Sequence, residues 1–444
     1  MSVDVTLAGP EQHLGREFRQ IGLASIPLAA SGVLASVLGL IDAYCILLTS
    51  RIGFAALSLA VPVAALVFAV GIAVGSAVVS APPALRGRPV VGAALLLGVV
   101  ASLLCMVVLP VLAPLLIARS IGAGGEAERI SDDAARYLWA LAPCFGPQIG
   151  LAIAFQSLTA RRLLKRLNRL LLLIVAVNAV TTPLAVFVLR WGVVGAAVGT
   201  DLAYLVGVLA LAGQSGIAAS RRGELSALIG DGLPALRWML QASAAIFASV
   251  SLALLASVAF GLLAAWHGLR TVVLFGVLEM LRNITTLPTR GIAGAFLVRL
   301  SEAIVRRQRE HYVPIYWAAT GWIAILYGAE AIVLVAFPEP VSSLFRIAAP
   351  TSMLRDFYLA IAVLNLVSVL PRAAQVGFLP LGRPSLVFFH SLVFVLCAIM
   401  FAIRFILDYG ILAIVWGQVL GLALCHLIFI PIFFRSLGEV AHAD

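Results

Sequence analysis

Long apolar stretches dominate this sequence, and each of them is long enough to cross a lipid bilayer as a helix. One crossing needs about 20 apolar residues. Of the 444 residues, 62% are hydrophobic and 11% are charged, whereas about 25% of the residues of a soluble domain are charged. These fractions exclude a soluble enzyme, a disulfide scaffold and a disordered chain. We predict twelve membrane-spanning helices, at 20–48, 54–81, 90–117, 133–159, 165–189, 193–217, 234–263, 271–298, 313–337, 354–380, 384–407 and 411–434.

The basic residues are concentrated in the connections that follow the even-numbered spans. The largest group lies at 161–169, after span four, and another lies at 299–309, after span eight. Because cytoplasmic loops are enriched in Arg and Lys, this bias predicts that both termini are cytoplasmic. The membrane explains the formal net charge of +10, so we expect the lipid bilayer and no nucleic acid as a partner. The composition favours the cytoplasmic membrane of a bacterium.

The sequence lacks the motifs of an enzyme or a metal centre. Its five cysteines lie singly in apolar stretches, without a Cys-X-X-Cys pair or a Cys/His cluster, as is typical of small buried apolar residues. It has no P-loop, no His-Glu-X-X-His motif and no Gly-X-Ser-X-Gly motif. We therefore predict that the protein is not an enzyme and holds no resident cofactor.

The two halves of the chain repeat short motifs at an offset of about 220 residues, which indicates duplication of a six-helix unit. An even number of spans gives both copies the same orientation, and such parallel repeats rock about a central site in transporters. We predict an all-α polytopic membrane protein with twelve transmembrane helices in two parallel six-helix repeats around a central cavity. The predicted parts are a cytoplasmic segment (1–19), an N-lobe (20–217), a cytoplasmic linker (218–233), a C-lobe (234–435) and a cytoplasmic tail (436–444). The paired motifs start at Gly71 and Gly291, Tyr137 and Tyr358, and Trp191 and Tyr409.

Several motifs resemble those of the multidrug and toxic compound extrusion (MATE) family of the MOP flippase superfamily. Pro27 precedes Asp42 by fifteen residues, and Arg51-Ile-Gly follows at the end of the span. Asn178-Ala-Val-Thr-Thr-Pro resembles the fifth-helix motif of the family, and Gly192-Val-Val-Gly-Ala-Ala-Val-Gly-Thr resembles its sixth-helix motif. The resemblance covers about 20–435. It implies an efflux antiporter in which inward flow of H⁺ or Na⁺ drives export of small amphiphilic compounds, often organic cations. We expect a monomer that acts on a small-molecule substrate.

The resemblance also implies a polar network that binds the coupling cation in the N-lobe. Thr182 departs from the family pattern, which often has a carboxylate there. Position by position, the network maps to Asp42, Tyr137, Asn178, Thr182 and Thr200.

The residues support the same location independently. Asp42 is an acid inside an apolar span, where an ionisable group is costly and is by default a functional candidate. Asn178 and Thr182 are four residues apart and share a helix face. We add Asp201, which could replace the carboxylate missing at Thr182; the alternative is an acid that caps or pairs near the outer interface. Tyr137 could instead be an interfacial aromatic residue.

Two prolines lie within these spans and remove helix hydrogen bonds, which permits a bend. We predict helix-bending positions at Pro27 and Pro183. In one hypothesis, loading of Asp42 changes the bend of the first span; in the other, the kink is static.

The second half carries scattered polar residues that we assign to a substrate cavity. Gln241 and Arg372 stand where some branches of the family have acids. Glu279 and Arg282 could instead be a structural pair, and Glu330 an interfacial acid. The predicted cavity residues are Gln241, Glu279, Arg282, Glu330, Arg372 and Gln375.

Two other functions remain open. Arg282, Arg290 and Arg372 favour an exporter or flippase of one natural product, a siderophore or a lipid-linked saccharide, with an anionic substrate. The departures at Thr182, Gln241 and Arg372 favour a membrane scaffold that no longer transports.

Overall fold

The chain folds into long helices. A computed structural model describes residues 10–80, 88–121, 125–161, 163–215, 221–347, 351–381 and 383–442. The predicted segments 1–19, 218–233 and 436–444 fall partly outside these ranges. The helices are α1 (Pro10–Thr49), α2 (Arg51–Ser80), α3 (Arg88–Ile121), α4 (Gly125–Leu141), α5 (Phe145–Ala160), α6 (Leu164–Pro183), α7 (Gly192–Ser215), α8 (Arg221–His267), α9 (Leu269–Val305), α10 (Tyr312–Ala336), α11 (Pro338–Leu344), α12 (Thr351–Gly377), α13 (Pro384–Tyr409) and α14 (Ile411–His442).

The predicted spans correspond to these helices, with three differences. Span four is divided into α4 and α5 by a 3₁₀ turn at Ala142–Cys144, where Pro143 lies. The predicted linker is helical from Arg221 onward, as the first part of α8. Within the described ranges, eleven helices are long and apolar enough to cross a membrane. Helix α9 is long enough but is not among them, and it carries Glu279, Arg282 and Arg290.

Many apolar side chains lie on the surface of these helices. On α3, Val99, Leu103, Leu104 and Val107 are all exposed. A soluble protein rarely exposes apolar patches this extensive, whereas lipid solvates them. The molecule is therefore a multi-pass membrane protein whose surface contacts the bilayer.

The contacts divide the chain into two compact units. Unit 1 comprises Met1–Val33, Leu281–Arg404 and Leu412–Asp444, and unit 2 comprises Leu34–Met280 and Phe405–Ile411. This grouping, which assigns α8 to unit 2, follows contacts, whereas the predicted lobes followed the sequence repeat. The lobe boundaries stay a prediction.

Unit 2 holds α2 at its centre, packed against α5 and α8, while α6 packs against α7. A small apolar cluster joins four of its helices through Leu38, Leu151, Ile174 and Ala203. Leu38 and Ile174 each lie one turn before a polar residue, Asp42 and Asn178. Because residues four apart share a helix face, the apolar cluster turns these polar side chains toward the same interior.

Unit 1 has an aromatic core in which α10 packs against α12. Tyr316, Phe378 and Phe433 are fully buried there, and the Phe433 ring contacts the rings of the other two. The first part of α1 is attached to α10, since the Phe18 ring stacks on Trp322 and the Trp322 Nε1–H donates to the Phe18 carbonyl at 2.8 Å.

A buried ion pair also lies in unit 1. Glu17, fully buried on α1, accepts hydrogen bonds from Arg299 Nη2 at 2.7 Å and Nε at 3.2 Å. The same carboxylate lies 2.9 Å from His311 Nδ1. This two-point geometry is the strongest that Arg and a carboxylate adopt.

Candidate functional site

A cluster of buried polar side chains lies in the interior of unit 2. Asp42 comes from α1, Asn178 and Thr182 come from α6, and Thr200 comes from α7. The exposed fraction is 3% for Asp42 and 6% for Thr200, and both α6 residues are fully buried. The structure therefore brings together four of the predicted network residues from three helices.

The carboxylate of Asp42 accepts hydrogen bonds on both of its oxygens. Thr182 Oγ1 donates to Oδ1 at 2.9 Å, and Thr200 Oγ1 donates to Oδ2 at 2.5 Å. Asn178 Nδ2 lies 3.1 Å from Thr182 Oγ1, 3.0 Å from Thr200 Oγ1 and 3.2 Å from Asp42 Oδ1. An amide has only two N–H groups. These two N–H groups donate to the two threonine hydroxyl oxygens. The longer distance of 3.2 Å from Asn178 Nδ2 to Asp42 Oδ1 therefore adds only electrostatic attraction.

The result is a closed ring of neutral donors around one negative charge. Each threonine accepts from Asn178 and donates to Asp42, so both threonine hydroxyl hydrogens point to the carboxylate. No described cationic side chain forms an ion pair with Asp42. Neutral donors stabilise the charge less than a cation would, so the state of Asp42 depends on what else enters the cluster.

Close packing of α6 on α7 positions the two threonines. A methyl group placed on Gly199 would lie 2.8 Å from the backbone N and Cα of Thr182, closer than any packed side chain tolerates. Thr181 Oγ1 lies 2.8 Å from the Val177 carbonyl and 3.1 Å from the Gly199 carbonyl, so its one hydroxyl hydrogen is shared between the two helices. A glycine one residue before Thr200 is therefore required for Thr182 and Thr200 to reach the same carboxylate.

The predicted bending residues occupy different contexts. Pro27 lies inside α1, which the structure shows as one helix from Pro10 to Thr49. Pro183 ends α6 and is followed by a π-helical turn at Leu184–Val188. Such turns are rare and occur often at functional sites. This one starts immediately after the Asp42 cluster.

Asp201 and Tyr137 flank the cluster without a hydrogen bond to it. Tyr137 is buried and lies close enough to interact electrostatically with Asp42 and Asp201. Cys144 Sγ lies 3.7 Å from the backbone carbonyl of Asp201. The sequence predicts only a small buried apolar residue at Cys144, because nothing in it signals a contact over a separation of 57 residues.

Two oxygen atoms in this region have no hydrogen-bond partner among the described residues. They are Asn178 Oδ1 and Asp201 Oδ1, and both are buried. Buried polar atoms are normally paired. Asn178 Oδ1 belongs to a residue of the Asp42 cluster, whereas Asp201 is linked to Asp42 only by an electrostatic interaction.

The predicted cavity residues of the second half are distributed over both units, and their role in a substrate cavity stays a prediction. Gln241 is exposed and lies in unit 2, as does the half-buried Glu279, whereas Arg282 belongs to unit 1. Glu330 accepts a hydrogen bond from Asn365 Nδ2 at 2.5 Å.

One pair of predicted cavity residues lies on neighbouring turns of a single helix. Gln375 Nε2 donates to Ser391 Oγ at 2.9 Å and so joins α12 to α13. Arg372, one turn earlier, is partly exposed.

Solved structures of known transporters have the same architecture. An inward-facing MATE family transporter of the MOP superfamily superposes with a TM-score of 0.75 and 18% identity, covering 91% of this chain and 95% of its own. The chain has the MATE fold. An outward-facing MATE transporter gives a TM-score of 0.70 at 18% identity, covering 98% and 99% of the two chains.

A third solved structure that superposes on this chain is a MOP superfamily transporter from Pyrococcus furiosus. Its TM-score is 0.74 at 19% identity, with 98% of this chain and 99% of that one covered, and it is described as having a binding pocket of reverse polarity that suggests a different function. No protein-family profile and no curated protein sequence matches the chain. At these identities the structures establish the fold, and their fold is that of transporters.

Proposed function

We propose that this protein is a secondary active efflux transporter, in which inward flow of H⁺ or Na⁺ drives export of small amphiphilic compounds by alternating access of two lobes. The observation that carries the proposal is the carboxylate of Asp42, buried in an apolar helix and surrounded only by neutral donors. We also propose that the protein is a monomer of the bacterial cytoplasmic membrane with cytoplasmic termini.

Proton loading follows from the geometry of the ring. When Asp42 is ionised, both threonine hydroxyls donate to it. A protonated Asp42 becomes a donor itself, so one of its two threonine contacts must reverse direction. That threonine oxygen can accept from Asn178 and from Asp42 together, but its own hydroxyl hydrogen must then find a new acceptor, so the contacts that join α1 to α6 and α7 change.

Sodium loading uses the same atoms in another way. A cation that contacts the Asp42 carboxylate and the threonine oxygens displaces the hydroxyl hydrogens from the carboxylate. The unpaired Oδ1 atoms of Asn178 and Asp201 are further oxygen ligands nearby. In both cases a small positive charge reorganises the contacts that join α1 to α6 and α7.

The π-helical turn after Pro183 connects this reorganisation to backbone movement. The turn has a different hydrogen-bond pattern from the helix before it, so α6 has an alternative pairing available one residue beyond the cluster. We propose that cation loading shifts this region and the α1 segment that follows Pro27.

Transport by purified protein in liposomes tests the proposal. Wild type is expected to move a fluorescent organic cation against its gradient when a pH or Na⁺ gradient is imposed. Asp42→Asn is expected to abolish that coupling while retaining membrane insertion, because the amide cannot take up a proton or hold a cation by charge.

The matched control is Asp356→Asn, which neutralises an exposed acid on α12. Full gradient-driven transport in Asp42→Asn would reject the coupling role. A complete lack of cation-dependent transport in wild type, with all substrate charges tried, would instead favour the scaffold alternative.

A second candidate is export of a specific anionic natural product, siderophore or lipid-linked saccharide. It is favoured by the arginines of unit 1, Arg290 and Arg372, since neither forms an ion pair with a described residue. It is also consistent with the Pyrococcus furiosus transporter, whose binding pocket is described as having reverse polarity.

A further inference from the structure

An arginine pair belongs to unit 1 and lies on two helices that carry no acid near it in the sequence. Arg290 on α9 and Arg372 on α12 are close enough for their charges to repel. Arginine stays charged under all physiological conditions. Neither forms an ion pair with any residue that the structure describes.

The two arginines lie at the same predicted depth in the membrane. Each stands about eight residues before the predicted cytoplasmic end of its span, which corresponds to about 12 Å along a helix. Like charges at this depth destabilise the folded protein, because the interior screens them poorly. An anion between them would convert the repulsion into two attractive contacts.

A buried histidine completes the cluster. His390 on α13 has an exposed fraction of 3%, and neither of its ring nitrogens has a hydrogen-bond partner among the described residues. It lies within electrostatic range of Arg372. The hydrogen bond from Gln375 to Ser391 holds α12 and α13 together at this level. A buried ring with two unpaired nitrogens indicates a missing partner.

The cluster is accessible as well as polar. Arg290 is exposed and Arg372 partly exposed, while the buried Tyr327 on α10 lies within electrostatic range of Arg290. Solvent or a ligand can therefore reach the guanidinium groups, although the surrounding helices are apolar. Arginine binds carboxylate and phosphate with two parallel hydrogen bonds.

We propose that Arg290, Arg372 and His390 form an anion-binding site that holds the carboxylate or phosphate group of an amphiphile. This inference rests on the proposed export function, because it assigns the charge of the exported compound or of a lipid that accompanies it. The apolar helices around the arginines accommodate the hydrocarbon or aromatic part of the ligand.

Equilibrium binding to the purified full-length protein in nanodiscs tests the site. The probes are naphthyl phosphate, naphthoate and a naphthylmethyl trimethylammonium salt, which share an aromatic part and differ in charge. Wild type is expected to bind the two anions more tightly than the cation. The variants Arg290→Gln and Arg372→Gln are each expected to weaken anion binding about tenfold or more, since they remove a charged hydrogen-bond donor.

The double variant shows whether one anion contacts both arginines. The fold-loss of anion affinity in the double variant is expected to be smaller than the product of the two single fold-losses. The free-energy effects of two residues that contact one ligand are not additive. The control Arg355→Gln removes an exposed charge from the same helix, α12, and is expected to bind like wild type. His390→Phe keeps an aromatic ring of similar size and is expected to lower anion affinity without lowering thermal stability.

Two lipid compositions identify the source of the anion. If phosphatidylglycerol in the nanodisc displaces naphthyl phosphate, the site belongs to a lipid headgroup; if it does not, the site belongs to a soluble amphiphile. Equal affinity of wild type for anion and cation, or unchanged anion affinity in both arginine variants, overturns the inference.

Binding is measured without an ion gradient, so its outcome is separate from that of transport. Anion binding in a protein that fails to transport would contradict the export function and retain the site. Cation-coupled transport, together with arginine variants that bind the anions like wild type, would support the export function and contradict the anion-binding site.

Discussion

Two buried carboxylates in this molecule are stabilised in opposite ways. Asp42 in unit 2 accepts hydrogen bonds from neutral hydroxyl groups. Glu17 in unit 1 is held by the guanidinium group of Arg299 and lies against His311. Both are almost completely buried, so the difference lies in their partners and not in their exposure.

The partners determine what each carboxylate can do. Removing a carboxylate that binds Arg in two-point geometry breaks a buried ion pair, which destabilises the folded protein. A carboxylate that binds only neutral donors exchanges its charge for a bound proton or cation at much lower cost. This comparison predicts that Asp42 is required for coupling, whereas Glu17 is required for stability.

The largest expected effect is the loss of coupled transport in Asp42→Asn with no loss of stability. The remaining donors can turn toward the amide oxygen or toward each other, and the cost of burying a charge disappears. We expect gradient-driven transport to fall by about two orders of magnitude or more, as for an essential proton or cation carrier. The apparent melting temperature, measured by size-exclusion chromatography after heating, is expected to equal or exceed that of wild type. A strong fall in melting temperature would mean that Asp42, like Glu17, is required for stability.

The second prediction is the reverse result for Glu17→Gln. The amide leaves Arg299 with only the partly exposed Glu302, 3.4 Å from Nη1, as a counter-ion, and we expect a cost of about 2 kcal/mol, discounted because Arg299 is partly exposed. The melting temperature should fall, while transport per folded molecule stays at the wild-type level. The matched control is Glu310→Gln, an exposed acid 3.8 Å from His311. A stable Glu17→Gln with impaired coupling would mean that both carboxylates carry cations.

Sequence patterns predicted which segments are helices better than they predicted how those helices begin, end and pack against one another. Apolar length alone indicated the spans, because a helix must satisfy its own backbone in lipid. It did not indicate the break between α4 and α5 or the helical start of α8, because a turn or an extension depends on local capping and tertiary packing. Helix α9 carries Glu279, Arg282 and Arg290 and is not among the helices apolar enough to cross a membrane by composition alone.

The candidate site was predictable to a similar extent. Motif positions and helix spacing pointed to Asp42, Asn178, Thr182 and Thr200, and the structure brings these four together; their role as a coupling site stays a prediction. The approach of Cys144 to Asp201 and the unpaired nitrogens of His390 had no signal in the sequence. Those features depend on how helices distant in sequence pack.

A third prediction concerns the contact that forms the threonine pair. Gly199→Ala places a methyl group against the backbone of Thr182, so α6 and α7 must separate. We expect a loss of about 1 to 2 kcal/mol from overpacking and a weaker coupling cation affinity, measured as the half-saturating H⁺ or Na⁺ concentration for transport. The control is Gly150→Ala, where the added methyl group meets no atom within 4 Å. If Gly199→Ala transports with wild-type cation affinity, the close approach of the two helices is unrelated to coupling.

The smallest expected effect comes from Asp201→Asn. This variant tests whether Asp42 alone carries the cation or whether Asp201 takes part as well. Asp201 forms no hydrogen bond to Asp42 in the described residues and acts on it only through electrostatic repulsion. If Asp42 alone carries the cation, neutralising its neighbour changes the half-saturating cation concentration by less than about tenfold, as expected for a screened charge pair. The number of cations moved for each substrate, measured from the reversal potential in liposomes, should then stay the same. If Asp201 is the carboxylate that replaces the one absent at Thr182, the stoichiometry falls in Asp201→Asn, and the double variant with Thr182→Asp restores it.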